Sequence, residues 1–436
     1  MTGRTIVTLM MFCGSLLTGA ASAQRFSTEQ YVWRIPHDDA GGNCTQFVIH
    51  PTDPKLRLVA SGDIGLYRWQ FDEGRWICIS DWNADIHGGY IAGVAVDPTD
   101  SSRIFYAAGR GKGDVYVSHD QGRTFTPSKA AWPDGRQLYV NGGEHASTNG
   151  PLLAVDPQNP QVLYYASRLD GLWRSVAGSA PASWHRVDRF PARGDVVETF
   201  DADGKKLRNL SPTGGLNFIA IDGTSPVIEV DGVSRSSILY VGIGGDLRTQ
   251  SERGGEVAIE RQGGLWRSTD GGQSFQRLAD PDDTREHSSG RGYVDSLGNL
   301  YAIRSNRLVR VARASDQITD LNVPGERAIR SVAIDPRDPQ HLVAARQAVA
   351  RREHPYEQPP RLFRSLDAGK TWVELKNVTF NSPGWWNWFL TPTWWVQFDP
   401  HGPTDEAGRS RQFWAGDRPG PRLCAGNGGG RAPVGV

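Results

Sequence analysis

The stretch V-A-V-D-P-T-D-S-S-R-I-F-Y-A-A at residues 94–108, followed by D-V-Y-V-S-H-D-Q-G-R-T-F at 114–125, decides the fold. β-branched, aromatic and small residues at strand spacing predict short strands, and Asp97-Pro98 separates the first from the second. The octet at 118–125 matches the Asp-box pattern S-x-D-x-G-x-x-[FW], which predicts a hairpin turn whose carboxylate accepts backbone N–H groups. Such a unit cannot bury its apolar face alone, so it must stack against copies of itself.

Copies of this strand and its Asp-Pro break recur along the chain. The Asp, or the His that replaces it in the first copy, stands at positions 50, 97, 156, 222, 295, 335 and 399, spaced 40 to 73 residues apart. Pro follows it in five copies and is absent after 222 and in the divergent copy at 295. Complete octets recur at 268–275 and 365–372, and degraded ones follow 67–69 and 172–175. A β-sandwich with chance turn motifs is the alternative, but the constant order of strand and octet favours repeated blades. The sequence therefore predicts an all-β fold, a seven-bladed β-propeller with Asp-box hairpins.

Composition narrows the classes of partner. The 51 Gly and 27 Pro among 436 residues suit a turn-rich repeat protein, and 48 basic residues balance 48 acidic ones. This zero net charge does not favour a nucleic-acid or membrane partner. A neutral polysaccharide is the expected partner, since the 15 Trp offer large aromatic surfaces. No motif predicts a metal site or a cofactor.

The N-terminus has the features of a secretory signal peptide. Arg4 precedes an apolar run at 6–17, and Ala21-Ser22-Ala23 offers a cleavage site. We therefore expect a secreted protein, extracellular or periplasmic. The predicted domains are a signal peptide at 1–23, a propeller at 24–407 with an incomplete last blade, and an irregular tail at 408–436. That tail is rich in Arg, Gly and Pro, so we expect it not to close a blade.

The predicted mature chain keeps three cysteines, Cys44, Cys78 and Cys424. Cys44 and Cys78 fall in the same predicted blade, so an oxidising compartment would allow a disulfide between them. The sequence leaves the bridged and the unbridged state open.

The first predicted blade carries two specific motifs. It reads F-V-I-H-P-T-D-P-K-L-R-L-V-A-S-G-D-I-G-L-Y-R-W at 47–69 and W-I-C-I-S-D-W at 76–82. This pair resembles the opening of the glycoside hydrolase family 74 xyloglucanases, where the pattern is close to T-D-[IV]-G-G-x-Y-R-W and then W-x-P-L-x-D-W. The resemblance covers most of residues 40 to 400 and includes G-W-W-N-W at 384–388.

The resemblance implies two propellers that face each other across a cleft and hydrolyse the β-1,4-glucan backbone of xyloglucan with inversion. An inverting enzyme uses two carboxylates about 6.5–9.5 Å apart, one to activate water and one to protonate the leaving oxygen. The resemblance assigns the general base to Asp63 and the acid to the second propeller. Because the chain stops at Val436, we expect that propeller to be absent from it, through truncation or a shifted reading frame.

Four aromatic residues are candidates for substrate binding: Tyr90, Trp385, Trp386 and Trp388. Flat aromatic rings suit the apolar faces of glucose, although packing between blades would also explain the tryptophans. Strand alternation would put Trp386 and Trp388 on one face and Trp385 on the other.

Two classes of function remain open on the sequence alone. One is a glycoside hydrolase, or half of one, and the other is a secreted propeller that binds a glycan or a protein without cleaving it. A sialidase matches less well, because no arginine triad or catalytic Tyr/Glu pair can be assigned.

Overall fold

Seven four-stranded antiparallel sheets form the blades of a β-propeller, which confirms the predicted all-β fold. The computed structural model describes residues 31–34, 44–62, 64–81, 89–140, 150–168, 170–190, 208–209, 215–244, 247–250, 256–259, 263–279, 290–304, 306–326, 328–346, 361–375, 395–417 and 420–426. Strands are numbered along the chain from β1 (Tyr31–Arg34) to β33 (Gly420–Gly426). Each of the seven Asp-Pro repeats supplies the first strand of one blade.

Blades 1 to 3 are each built from four consecutive strands. Blade 1 contains β2 (Cys44–Ile49), β3 (Arg57–Ser61), β4 (Leu66–Gln70) and β5 (Arg75–Cys78). Blade 2 contains β6 (Ile91–Asp97), β7 (Asp100–Arg110), β8 (Lys112–Ser118) and β9 (Thr126–Pro127). Blade 3 contains β10 (Leu153–Asp156), β11 (Asn159–Ser167), β12 (Gly171–Ser175) and β13 (Trp184–Arg186).

Blade 4 carries two insertions between its strands. The blade itself contains β15 (Gly215–Ile221), β18 (Leu239–Gly244), β21 (Gly264–Ser268) and β22 (Gln276–Arg277). One insertion is the hairpin of β16 (Val227–Val230) and β17 (Val233–Ser236). The other contributes to a three-stranded sheet of β14 (Arg208–Asn209), β19 (Leu247–Gln250) and β20 (Glu256–Ile259).

Blades 5 to 7 complete the ring. Blade 5 contains β23 (Arg291–Val294), β24 (Leu300–Arg304), β25 (Arg307–Val311) and β26 (Ile318–Asp320). Blade 6 contains β27 (Ile329–Ile334), β28 (Leu342–Arg346), β29 (Arg361–Ser365) and β30 (Val373–Leu375). Blade 7 contains β31 (Trp395–Phe398), β32 (Gln412–Asp417), β33 and the N-terminal β1.

The antiparallel order of each blade separates its turns onto two faces of the propeller. We call the face with the Asp-Pro turns, which join first to second strands, the Asp-Pro face. The octets, which join third to fourth strands, lie on that same face. We call the opposite face, where each first strand begins and where second strands turn into third strands, the entry face. Neighbouring first strands contact one another around the central axis.

The carboxylates of four Asp-Pro turns join neighbouring blades. All six turn carboxylates are almost completely buried. Asp97 and Asp295 accept their bonds within their own blades, whereas the other four also contact a group of the blade or insertion that follows. Buried carboxylates are stable only when such donors surround them. The pairs, all 3.1 Å or shorter, are Asp156–Ser236, Asp222–Arg313, Asp335–Ser410 and Asp399–Arg57.

The three complete octets adopt one turn geometry. In each, the Ser hydroxyl donates to the Asp carboxylate at 2.7 or 2.8 Å, and the same carboxylate accepts a backbone N–H four residues further on at 2.8 or 2.9 Å. Gln121, Gly271 and Ala368 occupy the left-handed region at the same position of the turn. The octets therefore fix the third and fourth strands of blades 2, 4 and 6.

A recurrent tyrosine in the second strand of blades 3 to 5 packs against the blade that follows. It follows from the patterns V-L-Y, I-L-Y and N-L-Y, where strand alternation directs the ring to the same face of each sheet. Each ring is fully buried and supplies a large apolar area, worth roughly 1.5–3 kcal/mol. The three residues are Tyr164, Tyr240 and Tyr301, and Phe105 occupies the corresponding position of blade 2.

Blade 7 closes the ring against blade 1. Arg57 pairs with the buried Asp399 at 3.1 Å, and the Trp395 Nε1 donates to the Cys44 Sγ at 2.9 Å. The rings of Phe47 and Trp395 stack with their centroids 4.8 Å apart. These contacts join residues more than 300 positions apart in sequence, so long-range contacts hold the first and last blades together.

The expectation of an irregular tail that leaves the last blade incomplete is wrong for 412–417 and 420–426, because these residues form β32 and β33. β33 pairs with β32 on one side and with β1 on the other. A partner strand near the opposite end of the chain provides the hydrogen bonds, and a local sequence pattern does not reveal such a partner. Residues 427–436 and the predicted signal peptide at 1–23 lie outside the described residues.

Cys44 and Cys78 are not bridged to each other. Cys44 lies on the first strand of blade 1 and Cys78 on the fourth, with β3 and β4 between them. Three strand spacings separate the backbones of β2 and β5 by roughly 14 Å. A disulfide requires Cα atoms less than about 7 Å apart, so the propeller geometry prevents the bridge.

A cavity of about 360 Å³ lies on the central axis. It is lined by the first strands of blades 1, 5, 6 and 7, including Gln46, Tyr293 and Gln397, with Arg291 among its lining residues. In the part of the chain that the structure describes, no helix is long and apolar enough to span a bilayer.

Candidate functional site on the entry face

The turn that carries Asp63 joins β3 to β4 on the entry face. Asp63 itself lies outside the described residues, but both of its flanks are described. The Ser61 N–H donates to the Gly65 carbonyl at 2.8 Å, and the Ile64 N–H donates to the Ser61 Oγ at 3.2 Å. Ser61 is buried and Ile64 is exposed. The turn is therefore anchored on the blade side and open on the solvent side.

Blade 3 repeats this turn, a feature that the sequence analysis missed. Ser167 and Gly171 are paired as Ser61 and Gly65 are, and the Asp170 N–H donates to the Ser167 Oγ at 3.2 Å. The signal was present in the sequence as A-S-G-D-I-G-L-Y-R at 60–68 and A-S-R-L-D-G-L-W-R at 166–174. The buried Ser is thus the common anchor of both turns.

The Asp170 carboxylate binds the segment at residues 130–140 to blade 3. It accepts the Trp132 Nε1–H at 3.0 Å, the Tyr139 backbone N–H at 2.7 Å and an Arg136 N–H at 3.1 Å. The Arg136 guanidinium carbon lies 4.3 Å from the Trp132 ring centroid. All of these donors come from residues 130–140, between β9 and β10. Asp170 is 4 % exposed, so it is a structural carboxylate at the edge of the candidate site.

Tyr90 precedes β6 on the entry face, as its candidate role requires. It has a φ of 57°, a left-handed conformation that is rare for a bulky residue. Its carbonyl accepts the Gly109 N–H at 3.2 Å, and its hydroxyl accepts an Arg110 N–H at 3.3 Å. The Arg110 guanidinium carbon also lies 5.3 Å from the ring centroid. The hairpin tip of blade 2 thus holds a half-buried tyrosine in a strained conformation.

Trp385, Trp386 and Trp388 lie outside the described residues. The described residues that border their segment are Leu375, which ends β30, and Trp395, which begins β31. A fourth strand ends and a first strand begins on the entry face. Of the predicted site residues, Tyr90 is the one that the described part of the chain contains, and it lies on the entry face.

Burial controls the ionisation of the described residues near Asp170. Burial raises the pKa of the Tyr139 hydroxyl and lowers the pKa of the Arg168 guanidinium. Burial also raises the pKa of Asp114, although backbone N–H groups of Ala130, Val115 and Lys129 oppose that effect. The described residues contain no cluster of three or more His, Cys, Asp or Glu side chains that could hold a metal ion.

Curated proteins with similar sequences are xyloglucanases. A xyloglucanase from a Paenibacillus species is 25% identical over 376 residues, covering 80% of this chain and 33% of its own length. A probable oligoxyloglucan-reducing end-specific xyloglucanase from Neosartorya fischeri is 25% identical over 421 residues, covering 85% of this chain and 45% of its own. The chain thus spans less than half the length of these relatives. No protein-family model matches it.

Solved structures agree on the fold. The family 74 xyloglucanase of Xanthomonas campestris superposes with a TM-score of 0.66 at 24% identity, over 93% of this chain and 55% of that one. The structure of YCF48 bound to D1 peptide superposes with a TM-score of 0.52 at 9% identity, over 92% of this chain and 97% of that one. The chain is thus similar in sequence to curated xyloglucanases, and it shares the β-propeller fold of solved family 74 xyloglucanases.

Proposed function

We propose that this protein is a secreted glycoside hydrolase, or half of one, that acts on the β-1,4-glucan backbone of xyloglucan or a related plant β-glucan. The observation that carries the proposal is the match to curated xyloglucanases over 80% or more of the chain. The position of Tyr90 on the entry face, where the described flanks Ser61 and Gly65 also lie, supports it. The three octets, with their shared carboxylate turn, are then Asp-boxes of the BNR-repeat type.

In the proposed inverting mechanism Asp63 is the general base. It removes a proton from the water that attacks the anomeric carbon, while an acid on the other side of the sugar protonates the leaving oxygen. The buried Ser61 and its bond to Gly65 hold the backbone that carries the base. The tryptophans at 385, 386 and 388, with Tyr90, stack on the glucan chain and orient the scissile bond.

The general acid is proposed to come from a second propeller that faces the entry face. Two carboxylates on the described part of the entry face are unavailable as the acid. Asp170 uses its two oxygens for Trp132, Arg136 and Tyr139, and Asp114 uses its oxygens for three backbone N–H groups. A carboxyl group with all its oxygens bound in this way has no proton to give to a leaving group.

Substitution of Asp63 tests the catalytic part of the proposal. In a reducing-end assay on xyloglucan, Asp63→Asn should lower turnover about 10²–10⁴-fold, the usual contribution of a general base. Asp72→Asn is the matched control, because this exposed carboxylate belongs to the same blade but to its opposite face. Undiminished turnover in Asp63→Asn would reject the assignment.

Export is a further part of the proposal, supported by the apolar run and the Ala21-Ser22-Ala23 site. Expression of the full chain in a bacterial host with a working secretion pathway should yield a protein that begins at Gln24. Mass spectrometry of the intact exported protein checks this. A protein that stays in the cytoplasm with its first 23 residues attached would contradict it.

A second candidate is a propeller that binds a glycan or a protein without cleaving it. The closed ring of seven four-stranded sheets favours it, because this fold superposes on 97% of the chain of YCF48 bound to D1 peptide. In this case the protein would retain xyloglucan in affinity electrophoresis but release no reducing ends. Loss of that retention in Trp386→Ala and Trp388→Ala would show that the tryptophans hold the glycan.

A further inference from the structure

The entry face of blade 2 carries a guanidinium group that is held in place and exposed to solvent. Arg110 ends β7 at the hairpin tip. One of its N–H groups donates to the Tyr90 hydroxyl at 3.3 Å, and its guanidinium carbon lies 5.3 Å from the centroid of the Tyr90 ring. A cation at this distance from an aromatic ring is attracted to it. The tyrosine therefore restricts the guanidinium group, whose remaining N–H groups have no acceptor among the described residues.

The backbone of this pair is fixed before any ligand binds. Tyr90 is held in its left-handed conformation with a φ of 57°. The Gly111 N–H donates to the Val140 carbonyl at 2.8 Å, which joins the hairpin tip to the segment at residues 130–140. Groups that are ordered in advance lose less conformational freedom on binding, so they bind a ligand more tightly.

The hairpin tip places a second cation beside Arg110. It reads G-R-G-K-G at 109–113, and Arg110 and Lys112 face each other across it. Residues that are paired in a hairpin project on the same face of the sheet, so the two positive charges share one face. Like charges directly opposite each other destabilise a strand pair. Both side chains are exposed, and within the described ranges neither forms an ion pair with a carboxylate.

The neighbouring carboxylates are bound to other groups. Asp114, on β8 next to the tip, accepts the backbone N–H groups of Lys129 at 2.7 Å and Ala130 at 2.9 Å. Asp170 pairs with Arg136 at 3.1 Å. The two cations of the tip are therefore free to bind an anionic group of a ligand.

Tyr90 narrows the class of ligand. An aromatic ring suits the apolar face of a sugar, and the guanidinium fork matches a carboxylate through two parallel N–H bonds. A sugar that carries a carboxylate uses both halves of the Tyr90–Arg110 pair. A neutral sugar leaves the two opposed cations of the tip without a counter-charge.

We propose that Tyr90, Arg110 and Lys112 bind a uronic acid, so that the preferred glycan is a β-glucan with acidic side chains. This inference rests on the proposed role of the entry face in glycan binding. The Tyr90 ring contacts the sugar, Arg110 donates N–H bonds to its carboxylate, and Lys112 adds a second positive charge. The 48 basic and 48 acidic residues of the whole chain balance, so the preference arises from this local pair of cations.

Binding of the full chain to three forms of one xyloglucan oligosaccharide tests the inference. The forms are the unmodified sugar, the sugar with primary hydroxyls oxidised to carboxylates, and the methyl ester of the oxidised sugar. Calorimetry at low ionic strength should show that the oxidised form binds about 3- to 10-fold more tightly than the methyl ester, as expected for an exposed charge-assisted pair. Raising the salt from about 0.02 M to about 0.5 M should remove most of this preference, because salt screens exposed charges.

Variants of the tip locate the preference. Arg110→Gln should reduce it to less than about twofold, and Arg110→Lys should keep part of it, because lysine retains the charge but not the planar fork. Arg123→Gln is the matched control, since Arg123 is an exposed arginine of the same blade on the Asp-Pro face. If Arg110→Gln does not fold, Lys112→Gln replaces it and should also lower the preference.

Equal affinity of the unaltered protein for the oxidised and the esterified sugar would overturn the inference, as would tip variants that keep the full preference. If Arg110→Gln weakens all three sugars by the same factor, Arg110 acts only through Tyr90 and the carboxylate site is rejected. Cleavage of neutral xyloglucan without any preference for the acidic form would reject this inference but leave the proposed function standing. A preference that depends on Arg110, without any cleavage, would support the inference and reject the hydrolase.

Discussion

Tyr90 shows how one residue can combine strain with a place on the candidate site. Its left-handed φ of 57° costs about 1–2 kcal/mol in a residue with a Cβ. The Gly109 N–H and the Arg110 guanidinium hold it in that conformation. Strained backbone that persists in this way is concentrated at binding and catalytic sites.

We therefore expect Tyr90→Gly to leave the free energy of unfolding within about 1 kcal/mol of its original value, because relief of strain offsets the lost ring contacts. If the proposed function is correct, the affinity of Tyr90→Gly for xyloglucan should also decrease. Tyr116→Gly is the comparison, since that buried ring stacks on Tyr106 at 4.9 Å in a regular strand, and it should cost about 3 kcal/mol or more. Urea unfolding measures both, and equal losses would argue against strain at Tyr90.

Alanine substitutions at two glycines distinguish the cost of backbone strain from the cost of limited space. Gly122 in the first octet has a φ of 81°, and Gly111 at the tip of blade 2 has a φ of 92°. A Cβ at Gly122 would lie 2.5 Å from the Ile79 Cδ1, whereas one at Gly111 would meet nothing within 4 Å. Gly122→Ala should thus destabilise the protein by roughly 1–3 kcal/mol more than Gly111→Ala, since overpacking adds to a similar strain. Chemical denaturation of the pair checks this, and equal losses would count against it.

At the scale of the element, the first strand of each blade was the most predictable part. All seven Asp-Pro repeats become first strands, because alternation and the turn residues are local signals. The insertions β14, β16–β17 and β19–β20 were not predicted, although they lengthen two of the spacings between repeats. Of the candidate site, only Tyr90 can be placed by its contacts. Asp63 and the tryptophans lie outside the described residues, so their assignment stays a prediction from the sequence.

The Asp-Pro turn of blade 6 is an element whose stability should depend on pH. The His341 Nδ1 lies 2.9 Å from the Asp335 Oδ2, and its Nε2 accepts an Arg364 N–H at 3.0 Å, so the ring is held neutral. Burial lowers the pKa of His341 below its ordinary value of 6.5. Burial opposes ionisation of Asp335, but bonds from His341 and Ser410 outweigh it and lower the pKa of that carboxyl.

Both lowered pKa values make the folded protein less stable as the pH falls. Below about pH 6.5 the unfolded chain takes up a proton on His341 that the folded protein resists, so the free energy of unfolding should fall there. The contribution of Asp335 is lost at lower pH, below about 3.8. Urea unfolding at pH 8, 6.5 and 5 measures the first effect. His341→Gln should have a shallower dependence in this window, and an unchanged slope would exclude His341 as its source.

At the scale of the whole molecule, the ring is closed by contacts between distant parts of the chain. β1 supplies the outer strand of blade 7, and the Arg57–Asp399 and Phe47–Trp395 contacts join that blade to blade 1. The Arg, Gly and Pro of the last residues predict an irregular tail. The pairing of β33 with β1 cannot be predicted from them, because strand pairing across the whole chain leaves no local pattern.

The closing strand makes a prediction for N-terminal truncation. A protein that begins at residue 31 keeps β1 and should match the predicted mature protein in Tm. A protein that begins at residue 36 lacks β1, so β33 becomes an open edge strand with unpaired N–H and C=O groups. We expect it to melt at least several degrees lower and to self-associate through that edge, as measured by calorimetry and light scattering. Equal Tm and equal mass for the two proteins would mean that the ring is held by the blade 7 and blade 1 side chains alone, with β1 contributing nothing to closure.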